Sequence, residues 1–480
     1  MAIDTIRTNA IANDAVNAAK IADDAVNAAK IADGAVDSDL GAVHTVISVN
    51  GTIINLIATT LTIEIGGKFA STVNVKYYTS GGTLIATDSS RTVTNGTLTS
   101  AVPSGVYNGY SAGNVISIKI ESDSNLSANS IEKTVITAPT GGTITTSGDY
   151  RIHTFNSSGN FVVAANTLLK NVEYLVIGGG GGGGYHTANG YYYDSVGGGG
   201  AGGYRCSVPG ETSGGGVAAE PPITYLTSGT YECQVGAGGV TGGSTGQGGA
   251  AGTHSIFGGN SVETYDVSNS NARHSFLYGT IERAQNPIQS STGSLPIMAH
   301  GGGGSVTVAW NPPQAYRGGN GGSGGGSGSS AGTSTLHGVN LQRQGHISGT
   351  LNGVQCGSGG GGAGGAAANI NSSNKGTTNN YNGGAGLTSS ITGSAVARGG
   401  GGAAGGTVAS GHSTTGGTAT AGGGNGGNYN GGANGSNGTA NTGGGAGGSG
   451  ASVGASAYAS GAGGSGVIIL RYKLNEVDNF

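Results

Sequence analysis

The sequence predicts a mainly β protein in three parts: a repeat stalk, a β-sandwich, and a glycine-rich lattice clamped by a small β-sheet. Three observations carry this prediction. Residues 11–40 repeat a ten-residue unit, residues 43–137 alternate apolar and polar side chains, and residues 178–465 hold most of the 105 glycines. The predicted boundaries place the stalk in residues 1–42, the sandwich in 43–137 and the distal domain in 138–480.

The stalk is predicted from a decapeptide. Ile11–Lys20 recurs as Ile21–Lys30 and decays through Ile31–Leu40, with a branched apolar residue at every fifth position. This spacing fits neither an α-helix nor a strand. A repeat so thin cannot bury its apolar stripe alone, so we expect identical chains to associate, most simply as a homotrimer. The alternative is a flexible linker.

The second part reads as an antiparallel sandwich. Leu61–Ile65, Val73–Tyr78 and Val115–Ile120 alternate apolar and polar residues, and turn signals such as Ser80–Thr83 separate them. Short strands at this spacing predict the architecture of immunoglobulin or fibronectin type III domains. We expect this part to supply rigidity and spacing.

Glycine in the third part recurs in GGX triplets, as in Gly318–Ser323 and Gly423–Asn428. A left-handed extended helix has three residues per turn and no internal hydrogen bonds, so its N–H and C=O groups must pair with neighbouring helices. Two glycines in three allow close neighbours, which predicts a lattice of the polyglycine-II type. With only 9 prolines and an irregular frame, the chain is not collagen.

Two apolar blocks flank the glycine region, residues 138–177 before it and 466–473 after it. The last of these, Val467–Tyr472, is the most apolar run in the distal half of the chain. We expect it to pair beside Tyr174–Ile177, so that one small sheet holds both ends of the lattice.

Composition excludes several classes of function. Charged residues make up 9 % of the chain and the net charge is −4, so the basic stripe of a nucleic-acid binder is absent. The sequence has no apolar stretch long enough for membrane insertion and no apolar signal core after Met1, which indicates synthesis in a cytoplasm without general secretion. Cys206 and Cys233 lie in similar strand contexts; we expect buried free thiols, with a disulfide as the alternative.

The chain resembles tail-fibre proteins of tailed phages, notably marine and cyanobacterial ones, over its first forty residues and the framework of the last 340 or so. The residues that carry the resemblance are Thr5–Ile11 with the decapeptides, His153–Phe155, Glu173–Gly180, Gly197–Arg205, Val235–Gly239 and Gly463–Tyr472. The resemblance implies a virion protein made in the host cytoplasm. Its amino end would join phage tail proteins, and its glycine-rich tip would bind a host surface glycan or an outer-membrane protein.

Specific recognition must come from the glycine-poor loops, because a glycine lattice offers little side-chain chemistry. Aromatic rings stack on sugar faces at low entropic cost. The candidate receptor-binding residues are Tyr191, Tyr192, Tyr193, Trp310, Tyr316 and Tyr381. For each, the alternative is a ring that covers apolar surface.

We expect no enzyme, cofactor or metal site. Glycoside hydrolysis needs two carboxylates, yet Asp and Glu are absent from 284–475, and the nine histidines show no metal-ligand spacing. Glu263 and Asp266 share a segment, where a solvated turn is the simpler interpretation. Two alternatives to a receptor-binding fibre remain: a structural fibre without recognition, and a tailspike that depolymerises polysaccharide.

Overall fold

The computed structural model describes residues 44–479 apart from 186–194, 244–247, 259–295, 307–317, 329–343, 353, 355, 376, 410–411, 414, 430–432 and 452–457. The stalk repeat therefore lies outside the described residues. The chain forms two compact units: one holds Leu56–Val135 with the described residues up to Asn50, and the other holds Gly51–Asn55 and the chain from Ile136 onward. The described residues are almost entirely β-strand or extended chain.

The first unit contains a three-stranded and a five-stranded antiparallel sheet, ordered β1-β2-β5 and β4-β3-β6-β7 with β8 also on β6. Its elements are β1 (His44–Asn50), β2 (Thr60–Gly67), β3 (Thr72–Thr79), β4 (Leu84–Thr92), β5 (Thr97–Ala101), helix α1 (Ser104–Tyr107), β6 (Val115–Ser122), β7 (Asn125–Leu126) and β8 (Ile131–Thr134). Alternate residues of β2, β3 and β6 are buried, as the sequence pattern predicts.

A buried hydrogen-bond chain joins the two sheets of this unit. The Tyr77 hydroxyl on β3 lies 2.7 Å from Ser100 Oγ on β5, and Ser100 donates to Asp88 Oδ2 at 2.7 Å. Because Ser100 has one proton, Tyr77 is the donor to it. The polar tip of the largest core residue is thereby satisfied.

The second unit is built around a seven-stranded sheet with the path β13-β12-β26-β10-β9, to which β16 and β27 add by pairing with β12. Its strands are β9 (Thr143–Ser147), β10 (Tyr150–Phe155), β11 (Gly159–Val163), β12 (Thr167–Ile177), β13 (Tyr204–Cys206), β14 (Thr212–Ser213), β15 (Val217–Ala218), β16 (Ile223–Leu226), β17 (Gly229–Gln234), β18 (Ser255–Phe257), β19 (Ile297–Ala299), β20 (Leu351–Asn352), β21 (Ile370–Asn371), β22 (Leu387–Ser389), β23 (Val396–Arg398), β24 (Val408–Ala409), β25 (His412–Ser413), β26 (Val467–Lys473) and β27 (Val477–Asn479). Among the described residues, short 3-10 helices cover Gly214–Gly216, Thr378–Tyr381 and Leu474–Glu476.

The closing strand pairs where the sequence predicts. Strand β26 runs antiparallel to β12, from Glu173 opposite Arg471 to Ile177 opposite Val467, and its other edge pairs with β10. Strand β26 is therefore interior to the sheet, which explains why its run Val467–Leu470 is continuously buried. One sheet thus holds both the entry to the glycine region and the exit from it.

The cysteines stay apart. Cys206 lies on β13, which pairs with β12, whereas Cys233 lies on β17, which pairs with β11 and β18. Both are buried free thiols, as is Cys356, so the disulfide alternative for Cys206 and Cys233 is wrong.

The glycine runs form a hydrogen-bonded lattice, seen most clearly around residues 178–183. Its N–H groups donate in rotation to three neighbouring runs, which are residues 200–203, 250–253 and 461–464. Two residues that are three positions apart therefore donate to the same neighbouring run. Its carbonyls accept from three further runs, at 239–242, 302–305 and 446. The N···O distances of the donated bonds are 2.8–3.0 Å. Threefold rotation with every bond external is the pairing of polyglycine-II helices.

The same contacts explain why the lattice needs glycine. A Cβ placed on Gly180, Gly181 or Gly199 would lie 2.0 Å from a backbone carbonyl oxygen of a neighbouring run. The lattice accommodates a methyl group at certain third positions, where Ala201 and Ala446 are fully buried. The sheet closes one end of the lattice, so the lattice has two different ends. Side chains that could bind a partner are distributed unequally between them.

Candidate functional site

The lattice has a sheet end and a loop end. At the sheet end, the runs join β12, β13 and β26. At the loop end, the opposite ends of the runs meet: Gly184 N donates to Ser305 Oγ at 2.8 Å, and Val196 N donates to Ser449 O at 3.2 Å. We define the loop end as these four residues together with the residues of neighbouring runs that lie equally far from the sheet.

Several glycine-poor segments leave and rejoin the lattice at the loop end. Their described flanking residues lie there, and the segments are 186–194, 244–247, 307–317 and 452–457. Segment 329–343 also departs there, from Gly328. By contrast, segment 259–295 connects β18 to β19, which adjoin the sheet end. Chain topology therefore anchors several separate glycine-poor segments at one end.

Most of the predicted recognition residues belong to these segments. Tyr191, Tyr192 and Tyr193 lie outside the described residues, as do Trp310 and Tyr316. Their segments are anchored at the loop end, by Tyr185 and Ser195 for the tyrosines and by Val306 and Gly318 for the other two. The anchors bring the two segments to the same end of the lattice.

Tyr381 is the exception, and the structure corrects its predicted role. Its side chain is fully buried in a cluster with Leu351, Cys356, Ile370 and Ala404, among others, and its hydroxyl donates to the Lys375 carbonyl. The neighbouring Asn379, Asn380 and Asn382 make this stretch read as an exposed loop, but apolar residues distant in sequence enclose the ring. Tyr381 stabilises the loop end and is not presented at its surface.

Buried serines terminate the lattice at the loop end, a role the sequence analysis missed. Each serine Oγ accepts a backbone N–H at 2.8–3.3 Å: Ser195 from Gly357, Ser305 from Gly184, Ser327 from Gly318, Ser358 from Ser327 and Ser460 from Ser449. A hydroxyl thus replaces the carbonyl that another turn of glycine helix would supply. The available signal was position, since Ser195, Ser305 and Ser327 stand beside glycine-poor segments. The loops consequently leave from a platform in which these five serines satisfy backbone N–H groups.

Two largely buried ion pairs lie on the sheet side of the unit. Arg205 contacts Glu220 through an ion pair, and Glu220 also accepts from the Tyr174 hydroxyl at 2.9 Å and from Ser213 Oγ at 3.0 Å. Arg471 pairs with Glu173 at 2.5 Å and lies over the Tyr150 ring, 4.5 Å from its centroid. These carboxylates serve as structural acceptors.

Glu211 is a third engaged carboxylate. It accepts from the backbone N–H and the hydroxyl of Ser390, both at 2.7 Å. Burial raises the pKa of Glu211, but hydrogen bonds from Ser389 and Ser390 outweigh burial and hold that pKa below its usual value. Glu211 is thus kept ionised by contacts that tie it to the segment after β22.

His153 is the fully buried histidine of the central sheet. Its Nδ1 donates to the Gly141 carbonyl at 2.8 Å, and its ring packs edge-on against Phe161, with centroids 4.9 Å apart. Burial lowers the pKa of His153 to about 4, so the ring is neutral near pH 7. His153 therefore has a structural role in holding β10 against the loop that contains Gly141.

Metal and membrane features can be stated for the described part of the chain. There, no three or more His, Cys, Asp or Glu side chains are grouped to hold a metal ion. Within the same residues, the model has no helix of the length and hydropathy that membrane crossing requires.

Comparison with known families places most of the chain in a family model. Residues 154–473 match the family model described as a glycine-rich domain. The match begins within β10 and ends with the last residue of β26, two strands that pair with each other, so it covers the lattice together with the strands that close it. No curated protein matches the chain.

Proposed function

The chain belongs to the glycine-rich domain family, and we propose that it acts as a tail-fibre adhesin of a tailed phage, binding the host cell surface through the segments at the loop end. The observation that carries this proposal is that the segments containing Tyr191–Tyr193, Trp310 and Tyr316 are anchored at that end, while the sheet closes the other. A rigid lattice that carries glycine-poor segments at one end is a suitable scaffold for recognition loops.

The lattice interior has few side chains that could contact a receptor, so binding specificity is assigned to the loops. Its hydrogen bonds join backbone groups of the chain to one another, and its buried third positions carry Ala or Ser. Aromatic residues in the anchored segments, Tyr191–Tyr193, Trp310 and Tyr316, supply the large rigid contact surface that binding hot spots use. We propose these five as the receptor-contacting residues and leave Tyr381 out.

The remaining parts of the proposal follow from the resemblance to tail fibres. The amino-terminal repeat would join phage tail proteins and assemble the chain as a homotrimer in the virion. Several tips on one particle would then convert weak single contacts into firm attachment. The receptor would be a surface glycan or an outer-membrane protein.

Loop-directed substitutions test this function. The full-length protein, labelled fluorescently, is applied to host cells as the wild type and as three variants: Trp310→Ala, Tyr316→Ala and the Tyr191–Tyr193 triple alanine. Loss of a hot-spot aromatic costs about 2 kcal/mol or more, so at least one variant should bind roughly 30-fold more weakly. Tyr225→Ala is the matched control, because Tyr225 is 46 % exposed on β16 and lies on the sheet side.

The outcomes separate the alternatives. Binding that the loop variants retain in full would refute recognition through these residues, and a wild-type protein without affinity for host cells would favour a structural fibre. Periodate treatment of the cells abolishes binding to a glycan, whereas protease treatment abolishes binding to an outer-membrane protein. Release of reducing sugar from host polysaccharide would indicate a depolymerase.

A further inference from the structure

Exposed asparagines recur every third residue on two neighbouring lattice runs, 422–428 and 433–439. They are Asn425, Asn428, Asn434 and Asn437. Each side-chain Oδ1 accepts a hydrogen bond from a backbone N–H of another run, at 2.8–3.0 Å. These amides are therefore bonded into the lattice although they lie at its surface.

The run 459–466 shows which position the asparagines occupy. Its N–H groups fall into three rows, as the threefold helix requires. One row donates to the run 444–447 and a second to the run 236–239. The third row, Ala459 and Ala462, donates to the side chains of Asn434 and Asn437. The asparagine side-chain carbonyls therefore accept the N–H groups that the backbone carbonyls of one more glycine helix would otherwise accept.

The asparagines act together with the glycines that follow them. Gly435 N donates to Ala459 O at 2.9 Å, and Gly438 N donates to Ala462 O at 2.8 Å. Each Asn-Gly pair therefore holds the N–H and the C=O of one alanine. The N–H and C=O groups of Ala459 and Ala462 are thereby bonded within the chain.

The run 415–420, which lies beside the run 422–428, shows the same bonding to asparagine side chains. Gly416 N and Ala419 N donate to the side chains of Asn428 and Asn425. Another row of this run reaches lattice backbone, since Gly417 N donates to Ala404 O at 3.0 Å. Two separate edge runs are therefore closed by asparagines of the same three-residue spacing.

We propose that these four asparagines close this face of the lattice against a second copy of the chain. A row of unpaired N–H groups is a template for association, as it is on the edge strand of a sheet. Donors three residues apart on such a helix are about 9 Å apart, and a glycine run of the same chain offers carbonyls at the same spacing. A second copy is therefore the partner that an open edge would accept.

This inference does not depend on the proposed adhesin function, and mass measurement tests it. The full-length variants N434A/N437A and N425A/N428A are compared with the wild type by size-exclusion chromatography with light scattering over a concentration series. We expect the mass of the variants to rise at least twofold above the wild-type mass as concentration increases. Asn379→Ala is the matched control, because Asn379 is exposed and lies outside the two asparagine-bearing runs.

Amide hydrogen exchange supplies a second readout for variants that fold poorly. In Asn437→Ala, the Ala462 amide should exchange faster than in the wild type, whereas Asn437→Asp retains an acceptor and should preserve protection. Folded double variants whose mass equals that of the wild type at every concentration would overturn the proposal. Unchanged protection of Ala462 in Asn437→Ala would overturn it as well.

Discussion

A single methyl group at Gly181 probes the lattice most sharply. The Cβ of an alanine there would lie 2.0 Å from the Gly303 carbonyl oxygen, whereas real Cβ contacts shorter than 3.0 Å essentially do not occur. The two runs must therefore separate by about 1 Å, the difference between these distances. The same two runs are joined by hydrogen bonds from Gly302 N to Gly179 O at 2.7 Å and from Ser305 N to Gly182 O at 2.9 Å, and separation stretches both bonds.

The expected destabilisation follows from three contributions. Overpacking costs about 1–3 kcal/mol, and losing two buried hydrogen bonds costs about 1 kcal/mol each. The reduced entropy of the unfolded chain returns about 0.4–1 kcal/mol. The net loss is about 3 kcal/mol, which lowers the midpoint of thermal unfolding by roughly 6–12 °C for a large domain.

Gly365→Ala is the matched control, because it makes the same chemical change within the lattice where there is room. A Cβ on Gly365 has its nearest neighbour, Ala385 Cβ, at 3.4 Å, and its backbone is outside the left-handed region. We expect an unchanged or slightly raised midpoint in calorimetry at a fixed scan rate. Equal midpoints for Gly181→Ala and the wild type, or equal damage from both substitutions, would refute the packed lattice.

Three further predictions concern the polar groups of the second unit. His153 has a folded-state pKa of about 4, below its ordinary 6.5; the unfolded chain binds the proton more readily, so stability should fall by about 3 kcal/mol as pH drops from 6.5 to 4, and His153→Met should flatten the pH dependence of thermal unfolding. Ser305→Ala leaves a buried N–H without its acceptor and should cost about 1–2 kcal/mol in denaturant unfolding, whereas the exposed Ser436→Ala should cost almost nothing. Arg205→Met should cost about 3 kcal/mol by stranding Glu220, and adding Glu220→Gln should restore part of it; additive losses would contradict the pairing.

Local patterns predicted the strands and their closure well. The alternation in Val73–Tyr78 and Val115–Ile120 marks strands with one buried face, which β3 and β6 confirm. The continuous apolar run Val467–Leu470 indicates burial on both faces, and β26 lies inside the sheet between β12 and β10. Such patterns depend on the strand itself, so one sequence suffices to read them.

Roles that depend on which runs are neighbours did not follow from the sequence. Asn434 and Ser305 read as small polar fillers of the third triplet position, because their hydrogen-bond partners, Ala459 and Gly184, are distant in sequence. Tyr381 reads as a loop aromatic for the same reason, since Leu351 and Ile370 enclose it only after folding. The roles of these residues depend on which runs are neighbours in the lattice more than on composition.

Amide hydrogen exchange across residues 178–183 tests the lattice most directly. Every N–H of this run donates to a carbonyl of another run. Successive residues donate to three different neighbours in turn, so each neighbour receives two of the six bonds. We predict that all six amides are protected by roughly 10⁴-fold or more, which corresponds to an opening free energy of about 5 kcal/mol. Exchange of these glycines at the rate of an unstructured chain, in a protein whose β12 and β26 amides are protected, would contradict the lattice.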